Sequence, residues 1–209
     1  MIKNIIFDLG NVLIRFKPEE FVNKNIKEEY REKFFNIVFK GQEWADLDRG
    51  VLEYSDAVKI FSEKIPECSS EIKNFFDNYI LDVLEPIGKN IEIMKSLKGK
   101  YKLFVLSNFH YPAFDYIFKN WEFFKYFDGK IVSGHCRLLK PEKEIYELLC
   151  SAYSLIPEEC VFIDDTKINI EAAENLGIKG IHLIDINILE EKLKENNYKG
   201  LSANLLFNR

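Results

Sequence analysis

The chain has 209 residues, a length that fits one domain or one domain with an insertion. Hydrophobic residues make up 47% of it, and the formal net charge is −5. This composition supports a packed core and argues against electrostatic binding to nucleic acid or to an anionic membrane. No apolar run is long enough for a secretory signal or a membrane-spanning helix, so we predict a soluble, cytoplasmic protein.

The first predicted strand, residues 2–7, leads directly into Asp8 and a turn at Leu9-Gly10-Asn11. Its unbroken apolar run, Ile5 to Phe7, is typical of a strand buried on both faces. In open α/β sheets, ligands bind just beyond the carboxyl ends of such strands. Asp8 is therefore either a site residue or the start of a turn, and this segment alone leaves both interpretations open.

Residues 16–86 interrupt the strand pattern with amphipathic helical stretches and contain no convincing buried strand. A block of helices placed after the first strand predicts an inserted subdomain, which we call the cap (residues 16–86). The cap is expected beside the carboxyl edge of the sheet, because the first strand ends there. Residues 1–15 and 87–209 would then form an α/β core.

Further strand-length apolar runs follow the cap, with helical patterns between several of them. The predicted strands cover residues 101–106, 130–133, 160–163 and 179–184. Strands that alternate with helices indicate βαβ units and a parallel sheet covered on both faces. We therefore predict an α/β fold with a Rossmann-like, doubly wound parallel sheet.

Two of the later segments carry groups suited to an anion. The strand at 101–106 is followed by Ser107 and Asn108, whose hydroxyl, amide and backbone N–H groups can donate hydrogen bonds, although Ser107 alone would also fit a helix N-cap. Lys140 precedes Pro141 at a predicted helix start, where a cation is unfavourable to the helix dipole. A bound anion would offset that conflict.

The strand at 160–163 is followed by the adjacent carboxylates of Asp164 and Asp165. Adjacent carboxylates repel each other, and Mg²⁺, which prefers one or two carboxylates with water and phosphate oxygens, would relieve the repulsion. In a doubly wound sheet these strand ends converge on one crevice. A metal site beside an anion site contains the parts needed for phosphoryl transfer, with Asp8 as nucleophile.

These residues resemble the haloacid dehalogenase-like hydrolase superfamily, in order and spacing, across nearly the whole chain. The matching motifs are FDLGNV, LSN, LLKPE and FIDDTKIN. The resemblance implies an aspartyl-phosphate on Asp8 and Mg²⁺ held by Asp8, the Gly10 carbonyl, Asp164 and Asp165. It also implies that Ser107, Asn108 and Lys140 bind the phosphoryl group, that a small phosphorylated metabolite is the substrate, and that a helical cap covers the site.

Gly10 departs from the usual phosphatase pattern, which has a second aspartate two residues after the nucleophile. That aspartate provides general acid–base help worth about two to four powers of ten in rate. In this respect the chain resembles a bacterial subgroup with DLGN that includes glucose 1-phosphate phosphatases. Either the substrate is an activated phosphate ester, or another group supplies the acid. The candidates are Glu43, Asp46 and Asp48 in the cap, and His110.

Three other functions stay open at this point. A haloacid dehalogenase needs no metal, but the Asp164-Asp165 pair favours one. A phosphomutase depends more heavily on the missing acid, and a catalytically weak binding protein has little reason to keep these charges. Substrate choice is expected to lie in the cap, with Trp44, Arg49, Phe35 and Phe39 as candidates, and the sequence does not indicate an oligomeric state.

Overall fold

The computed structural model describes residues 1–198 and residue 200, and a five-stranded parallel sheet forms its centre. The strand order is β5-β4-β1-β6-β7. The strands of this sheet are β1 (Asn4–Phe7), β4 (Lys102–Ser107), β5 (Gly129–Val132), β6 (Cys160–Asp164) and β7 (Lys179–His182). The predicted α/β class and parallel sheet are confirmed.

Helices cover both faces of this sheet, which explains the unbroken apolar run in β1. Ile5 and Phe7 pack into one hydrophobic cluster, whereas Ile6 packs into another on the opposite face. The helices that accompany the sheet are α6 (Gly88–Leu97), α7 (Tyr111–Asn120), α8 (Ser133–Cys136), α9 (Lys143–Tyr153), α10 (Lys167–Glu174) and α11 (Leu189–Glu195).

A short antiparallel ribbon of β2 (Ile14–Phe16) and β3 (Leu84–Pro86) lies at the two ends of the predicted cap. The sequence pattern missed these strands because each spans three residues and is only partly buried. The helices between them are α1 (Pro18–Asn25), α2 (Glu28–Phe39), α3 (Gln42–Arg49), α4 (Tyr54–Lys64) and α5 (Ser69–Asn74).

The cap helices pack around an aromatic-rich cluster of their own, separate from the clusters of the sheet. Phe34, Phe61 and Phe75 are fully buried there. The Phe39 ring meets the Phe75 ring edge-on at 5.3 Å between centroids. Among the described residues, no helix has the length and apolar character required to cross a membrane.

Candidate active site

Three carboxylates meet at the carboxyl edge of the sheet, because the strands that carry them are neighbours and run parallel. β1 lies between β4 and β6, so Asp8, Ser107 and Asp164 leave the sheet at the same edge. One oxygen each from Asp8, Asp164 and Asp165 lies within 4.8 Å of the others. The structure therefore brings together residues that are about 150 positions apart in the sequence.

Lys140 is buried between two of these carboxylates. Its Nζ lies 2.9 Å from Oδ1 of Asp8 and 2.7 Å from Oδ2 of Asp164. Burial by itself would lower the pKa of Lys140, but the two carboxylates outweigh burial and raise that pKa. Lys140 is therefore a buried cation whose position is set by acidic partners on two strands.

The local structure around Lys140 differs from the sequence-based expectation. Helix α9 begins at Lys143, not at Pro141, because the Glu142 backbone N–H donates to the Leu139 carbonyl and closes a turn first. Lys140 therefore precedes the helix by a full turn. The conflict with the helix dipole does not arise there, and Asp8 and Asp164 provide the negative charge.

Asn108 holds the backbone of Lys140 through both ends of its side-chain amide. Its Nδ2 donates to the Lys140 carbonyl at 3.0 Å, and its Oδ1 accepts from the Lys140 N–H at 2.8 Å. The amide is thus engaged in positioning Lys140, which leaves the Asn108 backbone N–H as the group that could face an anion. Ser107 beside it is fully buried, and its hydroxyl lowers the pKa of Asp8.

Asp164 and Asp165 occupy different environments although they are adjacent. Asp164 is fully buried and accepts hydrogen bonds from the Thr166 N–H at 2.7 Å and from Asn169 Nδ2 at 3.1 Å. Asp165 is half-buried and accepts from Asn11 Nδ2 at 3.1 Å. The sequence motif indicated Asn169, whereas the role of Asn11 was missed, since a turn asparagine has many structural uses.

The loop that follows β1 presents Asp8 and Gly10 to the cluster. The Leu9 N–H donates to Asp8 Oδ1 at 2.7 Å, and Asn11 adopts a left-handed conformation with φ of 50°. Burial raises the pKa of Asp8 well above its usual value, even though Lys140 lowers it. Within the described part of the chain, the Gly10 carbonyl accepts no hydrogen bond, so its lone pairs are available to a ligand.

The donor set fits a hard divalent cation. Three carboxylates face one buried ammonium, which leaves two negative charges uncompensated if all four groups are ionised. Carboxylate and carbonyl oxygens are the ligands that Mg²⁺ prefers. Asp8, Asp165 and the Gly10 carbonyl supply such oxygens. The uncompensated negative charge of the cluster would attract the cation electrostatically.

A cavity of about 270 Å³ lies over this cluster, between the core and the cap. Its lining includes Gly10, Asn11, Asn108 and Asp165 from the core edge. The remaining lining residues are Ile14, Phe16, Trp44, Asp48, Ile80, Leu84, Phe109, His110, Ala113 and Thr166. Polar groups thus lie at the carboxylate end, and apolar side chains dominate elsewhere.

The structure separates the candidate acids of the cap. Glu43 pairs with Lys64, and Asp46 accepts a hydrogen bond from Gln42 on an exposed face of α3. Asp48 lines the cavity, and its Oδ1 lies 3.2 Å from Nε2 of His110.

The candidate specificity residues divide in the same way. Trp44 lines the cavity, whereas Arg49 forms an ion pair with Glu142 of the core. Phe35 and Phe39 belong to the cap cluster and do not line the cavity.

Comparison with known proteins agrees with the fold and the motifs. A sesquiterpene phosphatase from Aspergillus oryzae is 26% identical over 88% of this chain and 90% of its own. A phosphorylated carbohydrates phosphatase from Thermotoga maritima is 25% identical over 85% of this chain and 83% of its own.

Among solved structures, a HAD family enzyme from Bacteroides thetaiotaomicron, in complex with magnesium and inorganic phosphate, superimposes with a TM-score of 0.70. It is 24% identical and is covered over 94% of its length, against 87% of this chain. Residues 2–177 match the haloacid dehalogenase-like hydrolase family. The chain therefore belongs to this family of hydrolases, as the motif around Asp8, the acidic pair and the order of the motifs predicted.

Proposed function

We propose that the protein is a Mg²⁺-dependent phosphatase of small phosphorylated metabolites, with Asp8 as the nucleophile. The observation that carries this proposal is the meeting of Asp8, Lys140, Asp164 and Asp165 at one sheet edge. Both curated relatives described above are named as phosphatases, which supports the same reaction type.

Each residue has a distinct role in the proposed reaction. A carboxylate oxygen of Asp8 attacks phosphorus, the bond to the leaving oxygen breaks, and an aspartyl-phosphate forms. Water then attacks this intermediate, releasing phosphate and restoring the Asp8 carboxylate. Lys140, Ser107 and the Asn108 N–H would bind the phosphoryl oxygens and stabilise the charge that develops on them.

Asp8, Asp164, Asp165 and the Gly10 carbonyl would hold Mg²⁺, directly or through water. The ion supplies positive charge that lets an anionic nucleophile approach an anionic phosphate. The acidic cluster also argues against the dehalogenase alternative, since carbon–halogen displacement by an aspartate needs no metal and gives the half-buried Asp165 beside Asp164 no role.

The cavity favours an apolar organic group on the phosphate over a sugar. Phe16, Trp44 and Leu84 form its cap-side wall, and Ile14 and Phe109 extend it towards the core. A sugar would place hydroxyl groups against these side chains without hydrogen-bond partners, which costs binding energy. One of the two curated relatives is a sesquiterpene phosphatase, which agrees with this choice.

Turnover of p-nitrophenyl phosphate with and without Mg²⁺ tests the reaction type. We expect Mg²⁺-dependent hydrolysis, and we expect Asp8→Asn to reduce kcat by about four powers of ten or more. Asp56→Asn is the matched control, because Asp56 is exposed and pairs with Lys59 on the same helix. Unchanged activity in Asp8→Asn would remove Asp8 as the nucleophile.

A comparison of octyl phosphate with glucose 6-phosphate tests the substrate class. We expect the octyl ester to have the larger kcat/KM, because its chain fits the apolar wall formed by Trp44 and its neighbours. A larger kcat/KM for the sugar phosphate would overturn the apolar assignment without affecting the proposed reaction.

A further inference from the structure

The cavity lacks an acid at position 10 but contains one that the cap provides. Gly10 has no side chain, and Asp165 is bonded to Asn11 and belongs to the carboxylate cluster. Among the residues that line the cavity, Asp48 is the one other carboxylate. It reaches the site from α3, a cap helix distant in sequence from every strand of the sheet.

We propose that Asp48, with His110 as its positioning residue, is the general acid and base of the reaction at Asp8. The inference rests on the proposed phosphatase function and assigns to the cap a role that position 10 does not fill in this chain. Asp48 would exchange the proton with the substrate, and His110 would hold the carboxyl group in place.

Contacts between the cap and the core fix the position of Asp48 over the site. The Ser133 hydroxyl on α8 donates a hydrogen bond to the Asp48 backbone carbonyl, so the backbone of Asp48 itself is hydrogen-bonded to the core. Two residues later, Gly50 ends α3 in a left-handed conformation with φ of 72°, against the Gly134 carbonyl. A Cβ at position 50 would collide with that carbonyl, so glycine permits this close docking.

His110 is held just as firmly on the other side of the Asp48 carboxyl group. Only 3% of the His110 residue is exposed, and the Trp44 ring lies 4.3 Å away between centroids. The Tyr54 hydroxyl lies 3.4 Å from Nδ1. Nε2 lies close to Asp48 Oδ1 but is not aligned for a hydrogen bond, and no other group in residues 1–198 satisfies this buried nitrogen.

The electrostatic surroundings suit a proton donor. Burial, reinforced by the charge of Asp8, raises the pKa of Asp48 to about 8, although Lys140 opposes the shift. Burial lowers the pKa of His110 to about 3, so the imidazole ring is neutral at neutral pH. The ring therefore does not take the proton from the Asp48 carboxyl group. At neutral pH the pair therefore holds one proton on the carboxyl group.

The proton balance closes over the two chemical steps. As Asp8 attacks phosphorus and the bond to the leaving oxygen breaks, the Asp48 carboxyl proton moves to that oxygen and yields the alcohol. The Asp48 carboxylate then accepts a proton from the water that attacks the aspartyl-phosphate. Cleavage of the bond between phosphorus and Asp8 releases phosphate and returns both side chains to their starting states.

A series of aryl phosphates tests this assignment. It runs from 2,4-dinitrophenyl phosphate, whose leaving group needs no proton, to phenyl phosphate, whose leaving group does. We expect Asp48→Asn to lose about 10²–10⁴-fold in kcat/KM on phenyl phosphate and little on the dinitrophenyl ester. Because the readout is a ratio of two substrates on one preparation, a partly inactive preparation does not affect it.

Gly10 offers a rescue variant. A Cβ at Gly10 would lie 3.9 Å from Asp8 Oδ2, an ordinary contact distance, so the backbone leaves room for a side chain to begin there. We expect Gly10→Asp to restore phenyl phosphate turnover in the Asp48→Asn background, and His110→Asn to give an intermediate substrate ratio. Asp56→Asn should leave the ratio unchanged, since Asp56 lies on an exposed face of α4.

The possible outcomes separate this inference from the proposed function. If Asp48→Asn lost the same factor in kcat/KM on every ester, the substrate ratio would be unchanged. That result would overturn the role of Asp48 while Asp8-dependent hydrolysis still stands. Absence of Asp8-dependent hydrolysis of the dinitrophenyl ester in the unmodified protein would instead overturn the phosphatase proposal, on which this inference depends.

Discussion

The core wall, meaning the cluster of Asp8, Lys140 and Asp164 under the cavity, and the cap wall, meaning Asp48 and the apolar side chains around Trp44, hold their ionisable groups in opposite ways. On the core side, Lys140 lies between Asp8 and Asp164, so buried charges of opposite sign touch. On the cap side, Asp48 lies beside His110 of the core, whose ring packs against Trp44 and Tyr54 of the cap, and burial favours the neutral forms of both groups. The core wall is thus built to hold charge in place, whereas the cap wall is built to keep a proton available next to an apolar surface.

The largest expected effect comes from breaking the charge balance of the core wall. Lys140→Met would leave Asp8 and Asp164 buried without their cation, which costs about 3–5 kcal/mol in the free energy of unfolding. It would also reduce kcat by about 10²–10³-fold through lost stabilisation of the phosphoryl oxygens. Urea unfolding in metal-free buffer and steady-state kinetics measure the two effects.

Lys143→Met is the control for this change. Lys143 is exposed and pairs with Glu147 one helical turn away, so its loss should change the free energy of unfolding by less than about 1 kcal/mol. A Lys140→Met protein as stable as this control would show that the core wall does not depend on its charge balance.

The next effect concerns the apolar surface of the cap wall. Trp44→Ala removes the largest apolar side chain that lines the cavity, and we expect kcat/KM for octyl phosphate to fall about 10–200-fold. Methyl phosphate, which does not reach the wall, should be affected much less. Trp121→Ala, which truncates a partly buried tryptophan of the core cluster, controls for general destabilisation. Equal losses on both esters would mean that Trp44 supports the fold and does not select the substrate.

A smaller effect is expected where the two walls join. Arg49 at the end of α3 binds Glu142 through Nη1 and Nη2, with Nη1 3.1 Å from Oε2. The pair is about one-third exposed, so a coupling free energy of about 0.5–1 kcal/mol is expected. A double-mutant cycle of Arg49→Ala and Glu142→Ala on kcat/KM would report it as a two- to five-fold coupling. Strict additivity would show that the pair does not help to dock the cap.

The last effect has the opposite sign, because it stabilises the protein. The pKa of Asp48 is raised from 3.8 to about 8, so above pH 4 the unfolded chain releases this proton while the folded chain keeps it. The Asp48 carboxyl group therefore lowers the free energy of unfolding progressively as the pH rises from about 4 to 8. Asparagine does not titrate, so Asp48→Asn removes this decrease in stability. We expect a gain of several kcal/mol at pH 8, because each pKa unit between the unfolded and the folded value corresponds to about 1.4 kcal/mol.

Thermal melts of both proteins in metal-free buffer at pH 5 and pH 8 measure this difference. The contribution of His110 is largely common to the two proteins, as are the charges of Asp8 and Lys140 that face the carboxyl group. A gain in Tm that is larger at pH 5 than at pH 8 would contradict the burial cost assigned to Asp48.

The core wall was largely predictable from the sequence, and the reason is topological. A buried parallel strand needs an unbroken apolar run, so a polar residue after the run marks the sheet edge where ligands bind. Asp8, Ser107 and Asp164 each follow this rule. The bonds from Asn108 to the Lys140 backbone were not predictable, because they depend on a turn that the residue pattern does not specify.

The cap wall was less predictable, because helical periodicity indicates a buried face but not what that face meets. Glu43, Asp46 and Asp48 were equivalent candidates in one short stretch of sequence. The docking of α3 on α8 separates them, and this docking depends on Gly50, which lies against the Gly134 carbonyl of a segment far away in the chain. The role of Asp48 therefore became visible only in three dimensions.

The ribbon of β2 and β3 determines how the cap is attached. Arg15 lies opposite Glu85 in an antiparallel pair, and such partners have Cα atoms about 4.5–5.5 Å apart. The polypeptide therefore leaves and re-enters the core at almost the same point, and the cap is an insertion attached through this one ribbon. A tight turn joining β2 to β3 would remove the cap helices without cutting any strand of the five-stranded sheet. Under the proposed function, a different helical insert at this position would change the substrate preference and leave Asp8 in place.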